Sequence, residues 1–187
     1  MRGLFKFNNQ SLLLTFLTKN FFTMKNMIFL MIMSLLYSCA APTTEVSNNS
    51  NETYAANLKV AQKFMQLHEV EDLESQIALL SDDLQHEPPR YGSEMQDKDG
   101  FINDVKMYQD EFENMDFNAT YWLPGSDSLG NTNGSVRVYG VWTATHTATQ
   151  KPITLRSYHY WDFDENGLIL SVGDYFDATG MMMSLQD

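Results

Sequence analysis

The spacing of apolar residues changes period once along this chain, and that change limits the fold more than any other feature. Over Tyr54 to Leu67 the positions Leu58, Ala61, Phe64 and Met65 recur at helical spacing. Glu71 to Leu80 repeats the pattern with Leu73, Ile77, Leu79 and Leu80. Pro88, Pro89 and Gly92 break the chain, and Gly100 to Met115 gives a third helix with Phe101, Val105, Tyr108 and Phe112 on one face. From Phe117 the period is two. Phe117 to Leu123 is a strand, Gly125 to Gly134 a polar turn region, and Ser135–Ala148, Ile153–Phe163 and Leu168–Phe176 are three long strands. The segments 149–152 and 164–167 are short enough for hairpins. Helices first and a meandering antiparallel sheet after them predict an α+β domain with the helices on one face of the sheet.

At 187 residues the chain has the length of one domain with some to spare, and 43% hydrophobic and 13% aromatic residues supply a core. The net charge of −12 is unevenly spread. Residues 1–38 hold Arg2, Lys6, Lys19 and Lys25 and no acid, so the remainder carries three acids for every base. Such a surface repels phosphate backbones and anionic headgroups, which excludes nucleic acid as a partner. The single cysteine excludes an internal disulfide.

That cysteine ends a targeting segment. Lys25 supplies a positive start and Met27 to Tyr37 an apolar run, too short to span a bilayer but suited to a signal peptide. Leu36-Tyr37-Ser38-Cys39 resembles the lipobox of bacterial lipoproteins. The resemblance implies cleavage before Cys39, acyl chains on Cys39 as a membrane anchor, and, with Ala40 next, the outer membrane. Stable anchoring takes more than one acyl chain. Residues 24–38 are then the signal peptide and 39–53, small and polar, a flexible tether. A second apolar stretch lies within 1–23, so translation is expected to start at Met24 and 1–23 to be a mis-called start.

The domain proper covers 54–187. Its opening, Asp72-Leu73 followed by Ile77 to Asp83, and its close, Trp161-Asp162-Phe163, Glu165 to Ile169 and Asp174-Tyr175-Phe176-Asp177, are similar to nuclear transport factor 2-like (SnoaL-like) domains. The implied fold is a cone: a curved antiparallel sheet wrapped around three N-terminal helices, with a pocket at the open end. Two known catalytic sets of that superfamily are incomplete here. The base, oxyanion tyrosine and acid of steroid-isomerase-like members fall at Pro88, Phe64 and His159, and without a base proton abstraction next to a carbonyl has no engine. The three polar positions of epoxide-hydrolase-like members fall at Gly140, Trp142 and Asp174, where one acid of three matches.

The remaining candidates are His159 and Asp174 as acid–base pair, with His159, Trp161, Asp174 and Tyr91 as pocket residues. His159 is in phase with Trp161 and Phe163, and Asp174 lies on the next strand. The pair could do acid–base work or hold a polar ligand. The bland alternative, which the sequence favours, is a satisfied histidine beside a carboxylate bonded to backbone. His86 and Glu87, near Tyr91, read as ordinary loop residues at the pocket mouth. Asp162, Asp164, Asn166 and Gly167 copy half of a calcium loop, but Gly173 stands where its bidentate Glu belongs. No cluster suggests a metal and no Gly-rich loop a nucleotide, so no cofactor is expected. Met181-Met182-Met183 is a soft apolar patch that caps the cone or enters an interface.

Three functions follow in order. The first is a non-catalytic domain that binds a small apolar or amphipathic molecule or docks a protein partner. The second is an enzyme of unknown reaction using Asp174 and His159. The third is an interaction module, a homodimer through the outer sheet face.

Overall fold

A computed structural model describes residues 46–186; Cys39, the signal segment and residues 1–23 lie outside the described residues. The elements in order are α1 (Val46–Glu69), α2 (Leu73–Ile77), β1 (Leu80–Glu87), α3 (Lys98–Glu111), β2 (Phe112–Ser126), β3 (Thr132–His146), β4 (Pro152–Phe163), β5 (Ile169–Tyr175) and α4 (Ala178–Ser184). The five strands form one curved, open sheet in the order β1-β5-β4-β3-β2. No described helix is long and apolar enough to cross a membrane.

α1 buries one stripe, Ala61, Phe64, Met65 and, half-buried, His68, at the three-and-four spacing of a helix face. It begins before Tyr54, so residues 46–53, expected in the tether, are helical. Contacts with β3 hold that extension. Ser50 takes a hydrogen bond from Thr132 at 2.9 Å, and one turn beyond the extension Asn57 Nδ2 donates to the Gly134 carbonyl at 2.9 Å. Asp72 caps the short α2 through the Ser75 amide at 3.1 Å. Buried Gln76 ties three helices together, donating to the Phe64 carbonyl and accepting from Gln109 at 2.7 Å. Asp97 caps α3 through the Gly100 amide.

Two boundaries differ from the sequence expectation. The third helix stops at Glu111, and Phe112 to Met115 open β2 instead. Phe112 stays buried, since an extended residue at that point still faces the core. The larger difference is β1. Its polar run, Leu80 to Glu87, is an edge strand, and it pairs parallel with β5, so the sheet is not purely antiparallel. Its buried residues are Leu80, Ser81, Leu84 and His86.

The core lies between the helices and the inner sheet face, centred on Trp161, Ile169, Val136, Val138, Val172 and Leu84. Emptying a buried aromatic such as Trp161 costs about 3–5 kcal/mol. The outer face carries a row of tyrosines straight across four strands: Tyr121 opposite Tyr139, Tyr139 opposite Tyr158, and Tyr158 opposite Tyr175. Glu87 accepts a hydrogen bond from Tyr175 at 2.8 Å, and Arg137 donates to the Tyr158 hydroxyl at 2.6 Å.

Candidate functional site

Inward-pointing side chains of β4 and β5 meet residues of α1, α3 and α4 around one cavity of about 100 Å³. A buried water needs roughly 10–15 Å³ counted in this way, so the space suits a small organic molecule. The walls are mostly apolar: Phe64, Met65, Phe101, Val105, Leu155 and Met181 are among them. Met181 arrives on α4, which closes this side of the domain, while Met183 on the same helix is exposed.

The polar part of the lining centres on Asp174. In the antiparallel register His159 lies directly opposite it, and His159 Nδ1 sits 2.5 Å from Asp174 Oδ1. His86, brought alongside by the parallel strand β1, places Nε2 3.0 Å from Asp174 Oδ2. Each carboxylate oxygen therefore takes one imidazole N–H. The networks behind the two rings assign their protons. Trp142 Nε1 can only donate, and it points at His159 Nε2 from 3.2 Å, with Ser157 Oγ at 2.9 Å on the same nitrogen. His159 thus carries its proton on Nδ1 and gives it to Asp174. His86 Nδ1 faces the Gln96 side-chain oxygen at 2.9 Å while Nε2 faces the carboxylate. Oxygens flank both ring nitrogens, an arrangement that favours the protonated ring.

The electrostatics agree. Burial alone would lower His86, but the bonded Asp174 carboxylate, with Gln96 and the charge of Asp104, outweighs it and raises its pKa. Burial would raise Asp174, yet the hydrogen bonds from His159 and His86 hold it far below the usual carboxylate range. The result is an ionised carboxylate, paired inside an apolar cavity, with 18% of its side chain still exposed.

Three of the four histidines of the chain, His68, His86 and His159, line this cavity. His68 enters from the last turn of α1, edge-on to Trp142 with ring centres 5.4 Å apart. Burial lowers it to about 4, with the Asp174 charge opposing. Tyr108 from α3 also lines the cavity, and burial followed by the Asp174 charge pushes its phenol up to about 12, so it keeps its proton.

His159, Trp161 and Asp174 are therefore together in the lining. Tyr91 is not: it sits fully exposed on the loop between β1 and α3, and Pro89 of that loop takes a place in the wall. Arg90 pins the loop through Asp104, 3.1 Å away. His86 is corrected from loop residue to buried strand residue, 1% exposed. Glu87 belongs to the outer face. His68, His86, Tyr108 and Trp142 went unassigned to the site in the sequence. His68 continues the spacing of Ala61, Phe64 and Met65, and that was the available signal. Among the described residues no group of His, Cys, Asp and Glu is arranged to hold a metal ion.

Solved structures share this arrangement of elements. An NTF2-like protein of unknown function from Burkholderia pseudomallei K96243 matches with a TM-score of 0.57 at 19% identity, over 71% of this chain and 98% of that one. The fold is that of nuclear transport factor 2-like domains. A protein named as a SnoaL-like polyketide cyclase from Shewanella denitrificans OS-217 matches at TM-score 0.56 and 15% identity, over 70% and 96% of the two chains. One named as an isomerase from Bacillus subtilis gives 0.57 at 18%, over 68% and 90%. At these identities the likeness extends to the fold alone. No family model matches the chain, and no curated protein does.

Proposed function

We propose that the domain binds a small, uncharged, mostly apolar molecule through a hydroxyl group that donates to Asp174. The observation that carries this is the ionised carboxylate, held by two histidines and still partly open, in a mostly apolar cavity. His86 and His159 already hydrogen-bond its two oxygens, so a cation is not required, and the acidic surface disfavours anions. The test compares 2-naphthol with naphthalene by quenching of tryptophan fluorescence. Binding of 2-naphthol about tenfold tighter than naphthalene supports the proposal, since a hydrogen bond to a charged group is worth roughly 1.5–3 kcal/mol. Equal binding, or none, rejects it.

Catalysis is a second reading, supported by the convergence of His159 and Asp174 in the cavity and by the names of the cyclase and isomerase that share the fold. Asp174 would supply the carboxylate that the position of Pro88 lacks. It ranks second because a carboxylate held this acidic is a weak base near neutral pH. Acceleration of hydrogen–deuterium exchange at the α-carbon of 2-tetralone in heavy water, lost in Asp174→Asn, would promote it to first.

The proposal extends to location and assembly. Acyl chains on Cys39 would hold the domain at a membrane, the outer membrane by the Ala40 argument; intact mass of the membrane-extracted protein tests the anchor, and a peptide from residues 1–23 in the uncleaved precursor would overturn the start at Met24. The exposed tyrosine row supports a homodimer through the outer sheet face, with Arg137 and Glu87 as complementary charges.

A further inference from the structure

We infer that His68 is a ligand-contacting residue, its ring nitrogen taking a second polar group of the molecule whose hydroxyl rests on Asp174. The inference depends on the binding proposal above and adds a requirement to it: the ligand carries two oxygen functions, not one.

Buried polar atoms in folded proteins find partners almost without exception. Among the described residues three buried side-chain atoms have none: His68 Nδ1, Glu111 Oε2 and Trp161 Nε1. Two of these belong to residues that line the cavity. Trp161 is an inner-face core residue, stacked on Trp122 and on His159, and its ring is needed for packing whatever its nitrogen does. His68 has no such excuse. It occupies the buried stripe of α1 one turn after Phe64, where an apolar side chain would fill the space without stranding a nitrogen.

The polar neighbours of His68 already make other hydrogen bonds. Trp142, against which its ring stands, spends its N–H on His159. The Gln76 amide close to the ring donates to the Phe64 carbonyl and accepts from Gln109. Gln76 keeps a second N–H near the ring, yet by hydrogen-bond geometry Nδ1 is left without a partner. Burial keeps the ring neutral, so it offers one N–H and one lone pair and suits a hydroxyl or a carbonyl oxygen equally. His68 and Asp174 line the same cavity of about 100 Å³, so one small ligand can touch both.

The experiment measures binding of naphthalene, 2-naphthol and the 2,3-, 2,6- and 2,7-dihydroxynaphthalenes to the full chain, wild type and His68→Phe. The expected result is that at least one diol binds the wild type about tenfold more tightly than 2-naphthol. In His68→Phe that gain disappears, while the preference of 2-naphthol over naphthalene remains. Ring-nitrogen NMR of wild-type His68 provides a readout independent of the variant: its signals shift with the favoured diol and stay in place with 2-naphthol. A diol gain that survives His68→Phe, the absence of any gain, or unmoved His68 signals overturns the inference and leaves the Asp174 proposal standing. If 2-naphthol shows no advantage over naphthalene, the Asp174 proposal fails first and this inference goes with it.

Discussion

His86 Nε2 lies 3.0 Å from Asp174 Oδ2, a contact between residues 88 positions apart made by the one parallel strand pair of the sheet. The pair joins an edge strand to the carboxylate at the centre of the cavity. Asp174→Asn keeps the shape and removes the charge, leaving His86 buried beside a neutral amide. Breaking such a buried pair costs about 3–5 kcal/mol. Urea unfolding at neutral pH should show a loss on that scale; a variant as stable as the wild type would mean the contact holds nothing together.

The two perturbed histidines give stability a maximum near neutrality. His68 is lowered to about 4, so the unfolded chain takes up a proton between about pH 6.5 and 4 that the folded domain refuses, and stability falls as pH drops through that window. His68 is partly exposed, which places the loss at roughly 1–3 kcal/mol. Asp174 adds a further loss once pH falls below the ordinary carboxylate value, because its folded form is the more acidic. His86 works on the other side. Its raised pKa stabilises fully below about 6.5, and that contribution fades as pH climbs through the folded value. Thermal unfolding across pH should lose most of its slope between 4 and 6.5 in His68→Phe, and flatten on the alkaline side in His86→Gln. An acid slope unchanged by His68→Phe would contradict the assignment.

Gly173, next to Asp174, is a steric requirement. A Cβ there would sit 1.9 Å from Tyr160 Cε1, because the Tyr160 ring lies over the glycine on the outer face. Gly173→Ala should cost about 1–3 kcal/mol in unfolding experiments. Tyr160→Ala in the same chain removes the obstacle and should make the alanine close to neutral; a double variant no better than additive would show that the ring is not the cause.

If the tyrosine row is a self-association face, Tyr139→Ser with Tyr175→Ser, at two residues each 47% exposed, should lower the sedimentation mass from dimer to monomer. A monomeric wild type would remove the homodimer from consideration.

The fold was largely legible because its long strands alternate cleanly, and the pairing of β4 with β5 put His159 opposite Asp174 as their phases suggested. What the sequence hid depends on long-range pairing. β1 reads as polar, with two acids in its middle and His86 near its end, so nothing local marks it as a strand, and nothing local reveals that it lies parallel to β5. His86 therefore passed for a loop residue. Tyr91 was drawn to the pocket by its position in the chain, but the His86–Gln96 backbone bridge and the Arg90–Asp104 pair hold the loop so that Pro89 faces in and Tyr91 faces out. His68 was missed because a histidine on an apolar helix face reads as core, and only the cavity beside it shows otherwise.

The measurement that tests the central claim most directly is the affinity of 2-naphthol relative to naphthalene in Asp174→Asn beside the wild type. If the carboxylate receives the ligand's hydroxyl, the wild type prefers 2-naphthol by about tenfold and the variant loses most of that preference while still binding naphthalene. A preference that persists in the variant would place the hydroxyl elsewhere in the cavity and contradict the role given to Asp174.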